Sequence, residues 1–302
     1  MQQGRSAKDL CPLFALWFIS HHHARGWFHM FRLFFAGEDD PLLVQSGSPG
    51  LFTLQHLMVV LLLLATVCLA LRRIRQQAFR TRFLWTLCAF VSLVVLDVAR
   101  MIWEARTGQF DLKEGLPLQL CGIQMFAIPF ALFSHGRIGE YMREFVFAYG
   151  TVGFFLALLL PIPTLQDYPV FHFRSMQSML YHAALGFVAL MLPHLNHRPV
   201  VRNVRKAYVV LVACTLFTGF VNIFLGSNYL YTSALPIRFN SLRWPLYLPF
   251  LFAFALFVGR LPYHAYHFFS GTFRDETKAP HRHRGGNRRS GRKFFQKHDV
   301  QM

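Results

Sequence analysis

Seven apolar stretches of roughly 17 to 21 residues each constrain this chain more than anything else in it. They lie near 51–71, 83–103, 116–134, 144–161, 175–193, 207–227 and 245–262. About 20 apolar residues let an α-helix cross hydrocarbon, where every backbone N–H and C=O must find a partner inside the chain. The 302 residues are 54% hydrophobic and 16% aromatic, so the apolar content is not confined to one or two segments. The fold class expected is all-α: a polytopic membrane protein of seven transmembrane helices filling 51–265.

A net charge of +17 would point to nucleic acid in a soluble domain, but here the charge follows the stretches. The links after the first, third and fifth hold eleven Lys and Arg, and those after the second, fourth and sixth hold five. Positive links face the cytoplasm, which sets the N-terminus outside and the C-terminus inside. The tail from 276, "TKAPHRHRGGNRRSGRKFFQKHDVQM", is basic and poor in aliphatics. It reads as a disordered cytoplasmic tail whose partners are anionic lipid headgroups rather than a specific nucleic acid.

Residues 1–50 read as an N-terminal extension, interfacial or partly disordered. "LCPLFALWFIS" is too short to span, and "HHHARG" after it is no cleavage site for a secretory signal. "GWFHMFRLFFAG" suits the bilayer interface. Met30 is an alternative start, with the residues before it dispensable. His21–His23 are consecutive, so their imidazoles do not share one helix face, and no metal site is expected. No cofactor motif is present either. The five cysteines, Cys11, Cys68, Cys88, Cys121 and Cys214, show no paired spacing. Cys68, Cys88 and Cys214 fall inside apolar runs as small hydrophobes, whereas Cys121 has Gln119 and Gln124 beside it.

Placed by the rise of about 1.5 Å per residue, the intramembrane polar groups gather near the outer ends of the stretches. Cys121 sits about 8 Å, His182 about 10 Å, Asp97 about 9 Å and Arg100 about 5 Å below that surface. Asn222 lies about 8 Å deep, with Asn228 and Tyr229 just outside, and Gln55 and His56 open the first stretch on the same side. The inner halves hold almost nothing ionisable. Asp97, Arg100 and Glu104 share one helix face, which fits either a structural ion pair or an arginine held for a lipid phosphate. Cys121 shares a face with Gln124, and His182 with Ser178, which is in position to fix the imidazole tautomer. Pro117 suits the first turn of the third helix, which sets Cys121 just beyond that turn, where the helix dipole has faded. His182 is then the base at matching depth that a thiol nucleophile needs.

"LFTLQHL", "LPLQLCGIQ", "MLYHAALG" and "FVNIFLGSNYLYTSALP…LRWPLYLPF" occur in an order that resembles the YwaF-type bacterial integral membrane proteins, from about residue 30 to 265. That family is similar to the eukaryotic transmembrane protein 164, a phospholipid acyltransferase. Where the family has a His and an Asp around the cysteine, this chain has Gln119 and Gly122, and its His-Gly is His182-Ala183 here. The resemblance implies a multi-pass protein of the bacterial cytoplasmic membrane with Cys121 and His182 as a catalytic pair. It also implies acyl transfer from a phospholipid donor to a lysophospholipid, or to water. Arg100, Asp97, Gln124, Asn222, Asn228, Tyr229 and His56 complete the expected substrate-binding layer, and Asn222 or Asn228 is in position to serve an oxyanion. Two other classes fit the same residues: a transporter or ligand-binding protein with an outward polar cavity, and a seven-helix receptor.

Overall fold

The computed structural model describes residues 31–37, 40, 41, 43, 52–160, 167–195, 197–232 and 247–270. Residues 1–30, with Met30 and His21–His23, and the basic tail from 276 lie outside the described residues. Among the described residues the regular structure is all helical, with no strand. The helices are α1 (Leu54–Ile74), α2 (Phe79–Arg106), α3 (Leu120–Phe133), α4 (Gly136–Leu159), α5 (Phe173–Met191), α6 (Val204–Leu225), α7 (Tyr247–Val258) and α8 (Leu261–Ser270). Six segments are long and apolar enough to cross a membrane, α7 and α8 together making the last. Residues from Ala265 on form a separate unit, of which the last turns of α8 are described.

Of the seven expected stretches, the third is the one that yields no helix of spanning length. Expected over 116–134, it yields a helix of 14 residues, about 21 Å long by helical rise, against about 30 Å of hydrocarbon. Pro117 disfavours helical backbone at Leu116, and Gln119 is the N-cap. Cys121 is therefore the second residue of α3, inside the first turn rather than beyond it.

Two helices form the centre. About two thirds of the apolar windows of α4 and α5 are buried (61% and 67%), against 17–22% for the other spanning segments. Their mean hydropathy, 1.4 and 1.3, is lower than the 2.4 of α1 and 2.2 of α6, though the little-buried last segment is also at 1.3. A helix facing lipid must be apolar all round, whereas a central one can carry polar groups that its neighbours satisfy. Val60 and Val67 of α1, Phe154 and Leu158 of α4, and Met179 and Phe187 of α5 interdigitate in one core. In lipid this close packing, rather than escape from water, is what holds helices together.

A π-helical turn, Val146–Gly150, interrupts α4, and all five of its residues are buried. Before α1, Phe31–Gly37 docks on the C-terminal end of α2 and the N-terminal end of α5. Trp103 Nε1 donates to the Phe35 carbonyl at 3.0 Å, and His172 Nε2 donates to that of Ala36 at 3.0 Å. Ala36 and Leu43 pack with Trp103 and Tyr168. The "FRLFFAG" part of the extension is thus joined to the helical core.

Candidate functional site

A cavity of about 530 Å³ opens among α2, α3, α4 and α5, toward the end where α3 and α5 begin. One wall is charged, with Asp97, Arg100 and Arg174; another carries Cys121 and His182. Leu156 and Leu160 of α4 supply apolar surface. Cavities of this size take small organic ligands.

The charged wall is a network closed on itself. Arg100 Nε donates to Asp97 Oδ1 at 2.9 Å, and Nη1 reaches both Glu104 oxygens at 3.0 and 2.8 Å. Its Nη2 donates to the Gly115 carbonyl at 2.8 Å. Arg174 meets Glu104 at 3.3 Å and donates to Gln177 Oε1 at 3.1 Å. Two carboxylates and two guanidinium groups leave no net charge, which is how such groups persist away from water. The same contacts tie α2 to the turn before α3 and to α5.

That turn, 112–119, is irregular backbone whose inward-facing polar groups are satisfied by side chains. Tyr229, fully buried, donates its hydroxyl to the Leu112 carbonyl at 2.7 Å and accepts from the Leu116 N–H at 3.1 Å. Gln119 Oε1 accepts from the Leu230 N–H at 3.1 Å. The turn then folds back on α3 so closely that a Cβ at Gly122 would stand 2.6 Å from the Pro117 carbonyl carbon. Only glycine fits there.

Cys121 is held on both sides. Its carbonyl accepts from Tyr181 Oη at 2.9 Å, and its sulfur faces Gly153 of α4, where a Cβ would lie 3.1 Å from Sγ. His182 Nδ1 donates to the Ser178 carbonyl at 2.7 Å, so the Ser178 backbone rather than its hydroxyl fixes the tautomer. Nε2 then carries the free lone pair. Cys121 and His182 line the same cavity, with no hydrogen bond between them among the described residues.

The sequence pattern of the TMEM164 family matches residues 51–261, which include every residue lining this cavity. The chain belongs to the TMEM164 family. No curated protein and no solved structure matches it. This agrees with the relation to transmembrane protein 164 that the motifs suggest.

In this TMEM164-family protein the expected polar layer divides. Asp97, Arg100, Cys121 and His182 come together at the cavity; Gln124, Asn222, Asn228, Tyr229 and His56 do not line it. The Asn222 amide donates to the Tyr229 carbonyl at 2.9 Å and to Thr232 Oγ1 at 2.7 Å. Its Oδ1 accepts from Ser227 Oγ at 2.7 Å and the Tyr229 N–H at 2.9 Å. This saturated amide shapes the loop after Gly226, whose φ of +62° ends α6. His56 joins α1 to α4, with Nε2 donating to the Leu158 carbonyl at 2.9 Å and Nδ1 accepting from the Phe52 N–H at 3.3 Å. Gln124 is fully buried, and neither atom of its amide has a hydrogen-bond partner among the described residues.

Sequence reasoning missed Arg174, Gln177 and Tyr181, which also line the cavity. Arg174, Ser178 and His182 recur every fourth residue, a helical face that was legible once α5 was extended back to Phe173.

The expectation of almost nothing ionisable in the other halves of the helices is also corrected. At the opposite end of α4, Glu144 is fully buried and accepts from Asn203 Nδ2 at 2.6 Å and Tyr263 Oη at 2.7 Å. His197 Nε2 stands 3.5 Å from it. The reason is the start of α4 at Gly136, eight residues before the expected stretch, which carries Glu144 more than two turns into the helix.

Proposed function

We propose that this protein transfers an acyl chain between phospholipids, or to water, through a thioester on Cys121. The observation that carries the reading is the shared cavity of Cys121 and His182, with His182 Nδ1 committed to the Ser178 carbonyl and Nε2 left as acceptor. In the first half-reaction Nε2 takes the Sγ proton and the thiolate adds to the ester carbonyl carbon of a lipid. The C–O bond then breaks, and His182 returns the proton to the departing lysolipid oxygen. In the second, His182 takes a proton from a lysolipid hydroxyl or a water. That oxygen adds to the thioester, and the C–S bond breaks to restore the thiol. Tyr181 orients Cys121 through its carbonyl. On this reading the cavity opens at the outer leaflet with the N-terminus outside, which the Lys and Arg distribution supports.

Labelling with a lipid-linked thiol-directed electrophile tests the chemistry. Cys68 and Cys88 are exposed on lipid-facing helices while Cys121 is half-buried, so exposure alone favours the first two. Preferential labelling of Cys121, reduced about tenfold or more by His182→Ala in a folded protein, supports the thiolate. Labelling that follows exposure, and is indifferent to His182, sinks it. A second reading, a ligand cavity without bond making, is favoured by the missing hydrogen bond between the two side chains and would then stand. Orientation is tested separately with a membrane-impermeant maleimide in a cysteine-free background. Asp111→Cys should label in intact cells and Gln77→Cys should not.

A further inference from the structure

A second cavity, about 470 Å³, lies where α4 begins, where α5 has just ended and before α6 starts. Three spanning segments, Gly136–Leu159, Phe173–His194 and Val201–Leu225, have their ends here, which puts the cavity at headgroup level rather than in hydrocarbon. Its lining is polar and charged: Arg137, Glu140, Arg143 and Glu144 from α4, with His197 and Arg198 from the link after α5.

The charges are unequally occupied. Glu140 is paired with Lys206, and Glu144 accepts from Asn203 and Tyr263. Arg143 is turned to the end of α3, donating to the Ala131 and Ser134 carbonyls at 3.2 Å each. Arg137 and Arg198 are exposed and, among the described residues, have no carboxylate partner. His197 Nε2 is turned to the Glu144 carboxylate, 3.5 Å away. The first turn of α4, opening at Gly136 in the cavity wall, receives no hydrogen bond from its N-cap side chain. Two free guanidinium groups and a helix N-terminus converge on what an oxyanion supplies.

We propose that this cavity binds the phosphate of an anionic lipid headgroup, with Arg137 and Arg198 as its cationic ligands. The inference is independent of any chemistry at Cys121, since the two cavities share no lining residue. A lipid is favoured over free phosphate because the arginines stand where the spanning segments end, so a headgroup meets them with its acyl chains still in hydrocarbon. Guanidinium recognises phosphate by paired N–H donors, which the zwitterionic neutralisation of a choline headgroup weakens.

The test uses the purified full chain in neutral detergent, titrated with short-chain phosphatidylglycerol, short-chain phosphatidylcholine or inorganic phosphate while its thermal midpoint is followed. Phosphatidylglycerol should raise the midpoint and phosphatidylcholine should not. Arg137→Gln with Arg198→Gln should leave the unliganded midpoint in place and weaken the lipid's apparent affinity about tenfold or more. Removing the same charge from the tail, by Arg288→Gln with Arg289→Gln, should leave the affinity within about twofold of the parent. An equal response to inorganic phosphate, lost in the Arg137/Arg198 variant, upholds the phosphate site and identifies free phosphate as its ligand. An undiminished response in that variant, an equal loss in the tail variant or an equal response to phosphatidylcholine each overturns the proposal. Should the double variant fold poorly, Arg198→Gln alone, read by native mass spectrometry of retained anionic lipid, decides it: fewer lipids uphold the site and an unchanged count overturns it.

Discussion

In the C-terminal half of α2 a guanidinium is enclosed by acids, Arg100 lying between Asp97 and Glu104. Near the start of α4 a carboxylate is enclosed by donors, Glu144 receiving Asn203 and Tyr263. Both groups are buried, yet their neighbours differ in kind. Arg100 is neutralised by full charges that would be left bare if it were removed. Glu144 is solvated by a neutral amide and a hydroxyl, which tolerate its loss better, with His197 at 3.5 Å. Arg137 and Arg198 of the same cavity have no carboxylate partner among the described residues. Buried charge at the first end therefore fixes architecture, joining α2 to the turn that carries Cys121. At the second end it leaves cations available to an outside ligand.

Arg100→Met breaks the comparison most directly. With Asp97 and Glu104 left uncompensated, the loss should be about 3–5 kcal/mol, measured as thermal or denaturant unfolding of the purified protein. Gly115 also loses its donor, so the turn before α3 should become protease-sensitive. Glu144→Gln should cost less, about 1–3 kcal/mol, because it removes charge-assisted bonds without stranding an ion. Arg137→Gln should change stability by less than about 0.5 kcal/mol, as expected of an exposed side chain without partners. If Arg137→Gln destabilised as much as Arg100→Met, the contrast between the two ends would be wrong.

The smallest effect is a pH dependence at the first end. His172 is the N-cap of α5, its Nδ1 accepting from the Arg174 N–H at 3.2 Å while Nε2 serves Ala36. Burial lowers its pKa from the ordinary 6.5; the bond to the Ala36 carbonyl opposes that shift and the charge of Arg174 adds to it. Below that value the unfolded chain binds the proton more readily than the folded one. The contribution of His172 is therefore complete above 6.5 and lost as pH falls toward the depressed folded value. The thermal midpoint should drop between about pH 7.5 and about pH 5, and His172→Asn, which keeps a capping side chain, should flatten that drop.

Lipid solvation is what made much of this chain legible as a sequence. Hydrocarbon requires long apolar helices, so the six spanning segments show as runs of hydropathy, and ionisable residues inside them stand out. Helical rise alone put Asp97, Arg100, Cys121 and His182 at a common depth, and these are the residues that meet at one cavity. Depth carries no information about azimuth, however, and Asn222 and His56 share that depth while facing other partners. The start of α3 could not be read from hydropathy either. Leu116–Leu118 are as apolar as a helix, but Pro117, Tyr229 and Arg100 draw their backbone into a turn. Which carboxylate is paired by a charge and which by a hydroxyl depends on residues distant in the chain, such as Tyr263 beside Glu144. Local composition governs what can enter a membrane, and only packing between helices decides which polar groups remain free once inside it.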